Sequence, residues 1–217
     1  MALKTMENLH IIKGLYAITP DERDLFALIS KVESCIKGGA RLIQYRSKTL
    51  SNTEKNQQAK EIKIVCNFYK VPLIINDDIE LCRILDADGV HLGEHDDSLE
   101  KARLILGPSK IIGVSCYNSI DRVQKAVDKG ATYIALGACF PTLTKPSAPT
   151  VPLELIALVL KKFKIPVVAI GGINLENVDL LIDEGVNCVA MINSLFKVKD
   201  IEGTARKFSS LIENEKL

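Results

Sequence analysis

The sequence predicts an α/β fold in which eight parallel strands close into one barrel, and three observations carry that prediction. Short apolar runs alternate with longer amphipathic segments along the chain. Most of the runs are continuously apolar, as expected for parallel strands that are covered on both faces. Eight strand–helix units in 217 residues average about 27 residues each, which suits a small (β/α)8 TIM barrel.

The predicted strands are rich in aliphatic residues and are separated by polar and glycine-containing turns. In chain order they are GLYAIT at 14–19, RLIQY at 41–45, VPLIIN at 71–76, DGVHLG at 88–93, KIIGVS at 110–115, ATYIALG at 131–137, KIPVVAIGG at 164–172 and VNCVAMI at 186–192.

The segments between the runs carry helix start and stop signals. Segment 21–39 opens with acidic residues and closes on two glycines, which favour a helix start and a helix stop respectively. Segment 51–70 opens with S-x-x-E, which predicts a capping box of Ser51 and Glu54. Two further segments run from a polar start to a glycine stop, 119–130 and 174–185.

The whole chain, 1–217, is predicted to be a single barrel domain in which residues 1–12 form an N-terminal extension. An open doubly wound sheet is the competing architecture, and it would carry a glycine-rich turn after the first strand. That strand ends instead in Thr19-Pro20-Asp21, and a glycine pair follows the seventh strand. The barrel is therefore favoured.

The composition argues against several classes of partner. Lys and Arg total 28 against 27 Asp and Glu, so no broad basic surface for nucleic acid or anionic membrane is expected. No apolar run approaches the roughly 18 residues of a membrane helix. Trp is absent and aromatic residues make up 5%, which weakens the case for base stacking. Small-molecule partners are expected, without nucleic acid or membrane; a homodimer is considered because small barrels often pair.

The cysteines predict a reducing compartment. None of the six forms a C-x-x-C pair, and the opening MALKTMENLH has no apolar signal region. Scattered cysteines in such a chain are expected to be reduced, mostly buried thiols in the cytoplasm. The three histidines complete no zinc-binding spacing.

Barrel enzymes build their sites at the carboxyl ends of the strands, so the polar residues that follow each predicted strand are the candidates. They are Gln44, Arg46 and Lys48 after strand two, Asn76, Asp77 and Asp78 after strand three, Glu94, His95, Asp96 and Asp97 after strand four, Ser115 after strand five, Thr142, Thr144 and Lys145 after strand six, Gly171 and Gly172 after strand seven, and Asn193 and Ser194 after strand eight. Together they would ring one mouth of the barrel.

The acidic residues on neighbouring strands predict a metal site. Asp77 and Asp96 would repel each other in one pocket unless a cation lay between them. Mg²⁺ takes one or two carboxylates and completes its octahedron with water and substrate phosphates, so one Mg²⁺ per site is expected. The alternative is that Asp77 or Asp78 caps the following helix.

The basic residues predict an anion site. Arg46, Lys48 and Lys145 come from loops that could converge on a pyrophosphate, although solvated surface charge is the usual fate of such residues. A Schiff-base role for Lys145 is disfavoured by its distance from the strand. Residues 171–172 and 193–194 follow strands seven and eight, the usual phosphate cradle of this architecture.

Two further features are open to two interpretations. Segment 140–152 is long and rich in Pro, Thr and Ser, and it is predicted to be a lid that closes over phosphates rather than a disordered insertion. His91 lies near the end of the fourth strand, where a hydrogen-bonded packing role is favoured over a catalytic one.

Six stretches in register resemble the thiamine-phosphate synthase family, from Tyr16 to about Ser194. They are QYRSK at 44–48, IIND at 74–77, GVHLGEHD at 89–96, GVS at 113–115, FPTLTK at 140–145 and AIGGI at 169–173. The resemblance implies a transferase that joins 4-amino-2-methyl-5-(diphosphooxymethyl)pyrimidine to a phosphorylated hydroxyethyl-thiazole. The products would be thiamine phosphate and pyrophosphate, with pyrophosphate leaving first and the thiazole nitrogen trapping a pyrimidine-methyl cation.

The resemblance also implies roles for individual residues. The pyrimidine and its pyrophosphate would be held by Gln44, Tyr45, Arg46, Ser47, Lys48, Asn76, Ser115 and Lys145, of which Arg46, Ser115 and Lys145 would be catalytic. The thiazole phosphate would be held by Thr142, Leu143, Thr144, Gly172, Ile192 and Asn193. Asp77 and Asp96 would hold Mg²⁺.

The sequence departs from the family pattern at three places. Asn193 stands where Ser is usual, Glu94 stands where Gln is more common, and Cys116-Tyr117 stands where Thr-His is frequent. The related thiazole tautomerases lack parts of the metal and pyrophosphate set, so the retained acids and cations argue against that branch. A tautomerase, a phosphosugar isomerase and a non-catalytic binder of a thiamine precursor are the alternatives.

Overall fold

The computed structural model describes residues 12–93, 97–142 and 150–213. Its eight strands are β1 (Gly14–Ile18), β2 (Ala40–Tyr45), β3 (Leu73–Asn76), β4 (Gly89–Leu92), β5 (Ile111–Tyr117), β6 (Tyr133–Leu136), β7 (Val167–Ile170) and β8 (Cys188–Met191). Each strand pairs in parallel with the next, and β8 pairs in parallel with β1. The predicted barrel is confirmed, and the open sheet is excluded because the strand order closes on itself.

Helices follow the strands and cover the outside of the barrel. Over the described ranges they are α1 (Leu25–Lys37), α2 (Asn52–Tyr69), α3 (Ile79–Ile84), α4 (Leu99–Leu106), α5 (Ile120–Asp128), α6 (Leu153–Lys162), α7 (Val178–Asp183), α8 (Asn193–Phe196) and α9 (Ile201–Glu213). The four predicted helical segments are therefore confirmed. The capping box is also present, since Ser51 and Glu54 each bond the other's backbone N–H.

The predicted boundaries were too generous where proline or a non-helical turn intervenes. β3 begins after Pro72 and β7 after Pro166, because proline has no N–H to give to a neighbouring strand. The carbonyls of both prolines still accept bonds from the adjacent strands. Helix α1 begins at Leu25 instead of within the acidic run, because Asp24 caps it by accepting from the N–H of Ala27.

Strand alternation divides the core into two layers. One cluster fills the barrel interior and includes Leu42, Ile74 and Tyr133. The second cluster lies between the strands and the helices and includes Leu28, Ile43 and many others. Since neighbouring residues of a strand point to opposite faces, residues two positions beyond an interior residue also face inward, toward the upper rim.

The cysteines are buried thiols, as the cysteine pattern predicts. All six cysteines are buried and free of disulfide bonds. Within the described ranges, no helix has both the length and the apolar character that a membrane span requires.

The layered core predicts where truncation is costly. Leu42→Ala opens a cavity in the barrel interior, where Leu42 is fully buried, and we expect a loss of about 2–5 kcal/mol in the free energy of unfolding. Leu104→Ala is the matched control, because Leu104 is 85% exposed and should change stability by less than about 0.5 kcal/mol. Urea denaturation measures both, and equal losses would contradict the assignment of Leu42 to the core.

Candidate active site

The carboxyl ends of the strands gather the predicted polar residues at one rim. Gln44 lies two positions after the interior residue Leu42, and Asn76 lies two positions after the interior residue Ile74. Ser115, near the end of β5, contacts a side chain of β4 from within the barrel. The rim therefore collects amide, hydroxyl, basic and acidic groups, as the strand-end argument predicts.

A threonine and an aspartate after β1 hold the loop that follows β2. The hydroxyl of buried Thr19 accepts from the N–H of Arg46 (2.8 Å) and donates to the carbonyl of the same residue (3.0 Å). The carboxylate of Asp21 pairs with the Arg46 guanidinium (3.1 Å) and accepts from the backbone N–H of Lys48 (2.5 Å). Both basic residues are thus presented at the mouth by fixed partners on the neighbouring strand's loop.

Asp77 is oriented by contacts from three neighbours. Its φ is 66°, and its N–H donates to the carbonyl of His91 on β4 (2.8 Å). Its carboxylate accepts from Lys48 Nζ (2.5 Å) and from Asn76 Nδ2 (2.6 Å). The carboxylate of Asp77 and the ammonium group of Lys48 therefore meet at one point of the rim.

The capping alternative applies to one acid and not to the other. Asp78 caps α3, because its side chain accepts from the N–H of Leu81 (2.8 Å). Asp77 precedes the cap and turns its carboxylate toward Lys48 instead. Of the two acids after β3, Asp77 is the one placed to bind a cation.

The donor chemistry around Asp77 fits a hard divalent cation. Its carboxylate supplies the oxygen ligand that Mg²⁺ prefers, and it already lies against a positive group. Among the described residues, no cluster of three or more His, Cys, Asp or Glu side chains could hold a metal without help. A site here would therefore take the remaining ligands from substrate phosphates, water and Asp96, which lies outside the described residues.

Five side chains from five strands form a hydrogen-bonded chain across the barrel interior, called here the interior network. Gln44 Nε2 donates to the Tyr16 hydroxyl (2.9 Å), which bonds the Tyr133 hydroxyl (3.0 Å). The Tyr133 hydroxyl bonds His91 Nδ1 (2.9 Å), and His91 Nε2 bonds Ser115 Oγ (2.9 Å). The network joins two predicted substrate-binding residues, Gln44 and Ser115, through groups that lie beneath the mouth.

Burial keeps the interior network uncharged. It lowers the pKa of His91 to about 4, with the negative charge of Asp77 opposing that shift, so the imidazole is neutral near pH 7. Burial also raises the pKa of both phenols, Tyr16 and Tyr133, so both hydroxyls keep their protons. His91 is hydrogen-bonded, as predicted, and its two side-chain partners are Tyr133 and Ser115.

Glycines bring the loops after β6 and β7 into contact. Gly171 and Gly172 have φ values of 98° and 68°, a region in which glycine carries no steric penalty. A Cβ on Gly172 would lie 2.5 Å from the carbonyl oxygens of both Phe140 and Pro141. The chain segment that leads to Thr142 therefore passes directly over the glycine pair.

The end of β8 lies beside the same corner. Ile192 and Asn193 open the short helix α8, and the hydroxyl of Ser194 donates to the carbonyl of Ile173 (2.5 Å). Gly172 is fixed further by Asn177, whose side-chain amide donates to its carbonyl (3.0 Å). The predicted phosphate-binding positions after β7 and β8 are thus neighbours in space.

One predicted site residue, Tyr45, lies away from the mouth of the barrel. Tyr45 is buried in the layer between strands and helices, where its hydroxyl donates to Gln58 Oε1 (3.0 Å), because it is out of phase with Gln44 along β2. Its side chain therefore does not line the mouth.

Ser47 is half-buried between Arg46 and Lys48. Six candidate residues lie outside the described residues, namely Glu94, His95, Asp96, Leu143, Thr144 and Lys145, as does most of the expected lid.

Sequence reasoning missed the residues that support the site. Asp21 was interpreted as a helix-start acid, and Tyr16 and Tyr133 only as parts of strands. A polar signal was available, because a tyrosine at an inward position of a barrel strand must find a hydrogen-bond partner there. The partners themselves come from other strands and could not be identified from local spacing.

A family model described as thiamine monophosphate synthase matches residues 15–195. The thiamine-phosphate synthase of Methylobacillus flagellatus is 47% identical over 207 residues, covering 95% of this chain and 99% of the relative. The corresponding protein of Nitrosospira multiformis is 45% identical over 204 residues, covering 94% and 87%.

Solved structures are similar to this chain at both higher and lower sequence identity. A thiamine phosphate pyrophosphorylase from Pyrococcus furiosus superposes with a TM-score of 0.86 at 32% identity, covering 95% of this chain and 98% of that one. A 3-hexulose-6-phosphate synthase from Salmonella typhimurium superposes with a TM-score of 0.72 at 18% identity, covering 92% and 99%. At that identity the second similarity supports the barrel fold alone.

The neutral buried imidazole predicts a pH effect on stability. Between about pH 6.5 and pH 4, His91 is protonated in the unfolded chain but remains neutral in the folded protein. The unfolded state therefore binds more protons in this range, and the free energy of unfolding falls as the pH falls. The slope attributable to this group is at most about 1.4 kcal/mol per pH unit. His91→Asn should remove that part of the slope while the carboxylate contributions stay. Urea unfolding from pH 7 to pH 5 measures both proteins, and parallel profiles would contradict the assignment.

Proposed function

The chain belongs to the thiamine monophosphate synthase family, and from that premise we propose how its barrel mouth carries out the reaction. The reaction joins the pyrimidine diphosphate to the thiazole phosphate and releases pyrophosphate. The observation that carries the proposal is the cluster of Arg46, Lys48, Asn76 and Asp77 at one rim, next to the Gln44 and Ser115 ends of the interior network.

The pyrimidine half binds above the interior network. Gln44 presents its amide at the floor of the mouth and recognises the amino group of the ring, while Asn76 lies at the end of the next strand. Arg46 and Lys48, held in place by Asp21, face the diphosphate. An Arg fork and a Lys point charge suit a diphosphate, because the former bonds two oxygens at once and the latter adds charge without a fixed geometry.

Asp77 and Asp96 are proposed to hold Mg²⁺, and oxygens of the substrate diphosphate would supply further ligands. When bound, it would neutralise part of the charge that accumulates on the departing pyrophosphate. Lys48 bonds the Asp77 carboxylate, so a positive group lies beside this acid. The residues of the chain therefore fit one metal per site.

The bond-breaking step depends on charge stabilisation by fixed groups. As the carbon–oxygen bond of the pyrimidine diphosphate breaks, its electron pair goes to the pyrophosphate oxygen, and the ring-bearing carbon becomes a cation. Arg46, Lys48, Lys145 and Ser115 are proposed to stabilise the growing negative charge. Preorganised donors of this kind are worth about 3 kcal/mol each in comparable enzymes.

The thiazole half binds at the opposite side of the mouth. Its phosphate is proposed to contact the Gly172 backbone and the Ile192–Asn193 corner, with Thr142, Leu143 and Thr144 from the adjacent loop. That placement holds the thiazole nitrogen against the cation, so that carbon–nitrogen bond formation outcompetes attack by water. The cytoplasmic location and the homodimer stay predictions.

The two acids after β3 give a matched test of the metal site. Asp77→Asn removes the charge that faces Lys48 and the proposed Mg²⁺, and we expect a loss of about 100-fold in kcat. Asp78→Asn is the control, since asparagine also caps a helix and Asp78 faces α3. Steady-state kinetics at several Mg²⁺ concentrations compare the variants. Equal losses would mean that the wrong acid is assigned to the metal.

The activity itself is tested with purified protein and both substrates. Thiamine phosphate and pyrophosphate should appear in equal amounts, only with both substrates present, and excess chelator should abolish both products. Absence of product with both substrates and Mg²⁺ would overturn the proposed function. Turnover that is unaffected by chelator would instead favour a tautomerase or isomerase reaction, which needs a phosphate site and a general base but no pyrophosphate site.

A further inference from the structure

We propose that the interior network is a one-way hydrogen-bond chain that makes Ser115 a donor toward the departing pyrophosphate. Tyr16, Tyr133 and His91 are then positioning residues, which lie beneath the substrates and act through Gln44 and Ser115. The inference rests on the proposed function, because that function places a diphosphate beside Ser115 and an amino group beside Gln44.

The direction in which the hydrogen bonds of the interior network are donated is set at the Gln44 end. The amide nitrogen of Gln44 donates to the Tyr16 hydroxyl, so the oxygen of Tyr16 is an acceptor there. The proton of Tyr16 then needs an acceptor of its own. Among the residues that the structure describes, the other hydrogen-bonding atom at this hydroxyl is the Tyr133 oxygen, 3.0 Å away. Tyr16 therefore donates to Tyr133, since a buried hydroxyl proton without an acceptor is destabilising.

The same reasoning fixes the remaining two bonds. The Tyr133 oxygen is engaged by Tyr16, so its proton goes to His91 Nδ1 at 2.9 Å. A neutral imidazole that accepts at Nδ1 carries its proton on Nε2, and that nitrogen donates to Ser115 Oγ. The hydroxyl proton of Ser115 is left to point away from His91. It can then donate to a substrate oxygen at the mouth.

The charged form of His91 does not fit this arrangement. An imidazolium donates from both nitrogens, so Tyr133 would have to donate to Tyr16. Tyr16 would then accept from Gln44 and Tyr133 together and have no acceptor for its own proton among the described residues. The geometry therefore selects the neutral imidazole, and the direction of donation along the network decides which of the two nitrogens carries the proton.

The opposite direction would require a turned amide at Gln44. Its oxygen would accept from Tyr16, every bond of the network would reverse, and Ser115 would donate inward to His91. The proposed substrates favour the first direction at both ends. The amino group of the pyrimidine is a donor that requires the Gln44 oxygen, and the leaving pyrophosphate is an acceptor that requires the Ser115 proton.

Packing holds the network in register. A Cβ on Gly113 would lie 2.0 Å from the Tyr133 ring, so the absent side chain is what allows the ring to lie across β5. The rings of His91 and Tyr133 stack at a centroid distance of 5.6 Å with an interplanar angle of 22°. Tyr16 meets Tyr133 edge to face, with centroids 6.2 Å apart. The network is therefore preorganised before any substrate binds.

The tautomer can be observed directly without turnover. Two-bond ¹H–¹⁵N correlation spectra of the full chain at pH 7 distinguish protonated from unprotonated ring nitrogens, and His91→Asn assigns the His91 signals among the three histidines. The expected result is a proton on Nε2 and none on Nδ1. A proton on Nδ1, or on both nitrogens, would overturn the proposal. In Tyr133→Phe, which removes the donor to Nδ1, a mixture of both tautomers is expected.

A double-mutant cycle tests the consequence for catalysis. Tyr133→Phe should lower kcat by about 10- to 100-fold, the range expected when a hydrogen bond to a charged group is lost. In the Ser115→Ala background the same change should alter kcat by less than about twofold, because Ser115 is the group through which Tyr133 acts. A full additional loss in that background would show that Tyr133 acts through packing and would overturn the proposal.

A second variant probes the other end of the network. In Tyr16→Phe, Tyr133 still donates to His91, so the tautomer and kcat should be kept while the KM for the pyrimidine diphosphate rises. Tyr69→Phe is the matched control, since Tyr69 lies at the end of α2, away from the mouth, and should change neither parameter. If His91 no longer carried its proton on Nε2 in Tyr16→Phe, the proposed direction of hydrogen-bond donation along the interior network would be contradicted.

The two proposals fail in different ways. Wild-type protein that makes no thiamine phosphate would overturn the proposed function whatever the state of His91. Active wild-type protein with the wrong His91 tautomer, or with additive losses in the cycle, would overturn only the role of the interior network.

Discussion

The structure depends on the parallel closure of its eight strands. Because every strand runs in the same direction, the residues that end β2, β3, β5 and β8 meet at one rim although they lie far apart in the sequence. Closure also creates an interior that must be filled, mostly by aliphatic side chains and, directly below the rim, by the interior network. The polar rim and the interior network beneath it therefore both result from the closed parallel barrel.

Opposite charges at the rim are paired with one another and with neighbouring polar groups. Asp21 positions Arg46 and the backbone of Lys48, while Lys48 and Asn76 position Asp77. Such contacts restrict the side chains before a substrate arrives, so less ordering is needed when the diphosphate binds. Burial below the rim has the complementary effect, since it keeps His91 neutral and both phenols protonated.

The fold and much of the rim could be predicted from the sequence because both follow from local patterns. Apolar runs and capping signals locate strands and helices, and the residue after a strand end is at the rim of any parallel barrel. The face of the strand to which each side chain points was harder to predict. Tyr45 stands between Gln44 and Arg46 in the sequence, yet its side chain packs against α2. The interior network escaped prediction because its five members come from five strands, and only the closed barrel brings each member within 3.0 Å of the next.

The proposed site requires a divalent cation at Asp77 and Asp96 that shares a bound diphosphate with Lys48 and Arg46. Anomalous diffraction from crystals soaked with Mn²⁺ and inorganic pyrophosphate tests it most directly, because the ion's position is read without reference to turnover. The proposed site predicts an anomalous peak bonded to both carboxylates and to pyrophosphate oxygens, with Arg46 and Lys48 in contact with the same pyrophosphate. A peak elsewhere, or pyrophosphate bound away from Arg46 and Lys48, would contradict it.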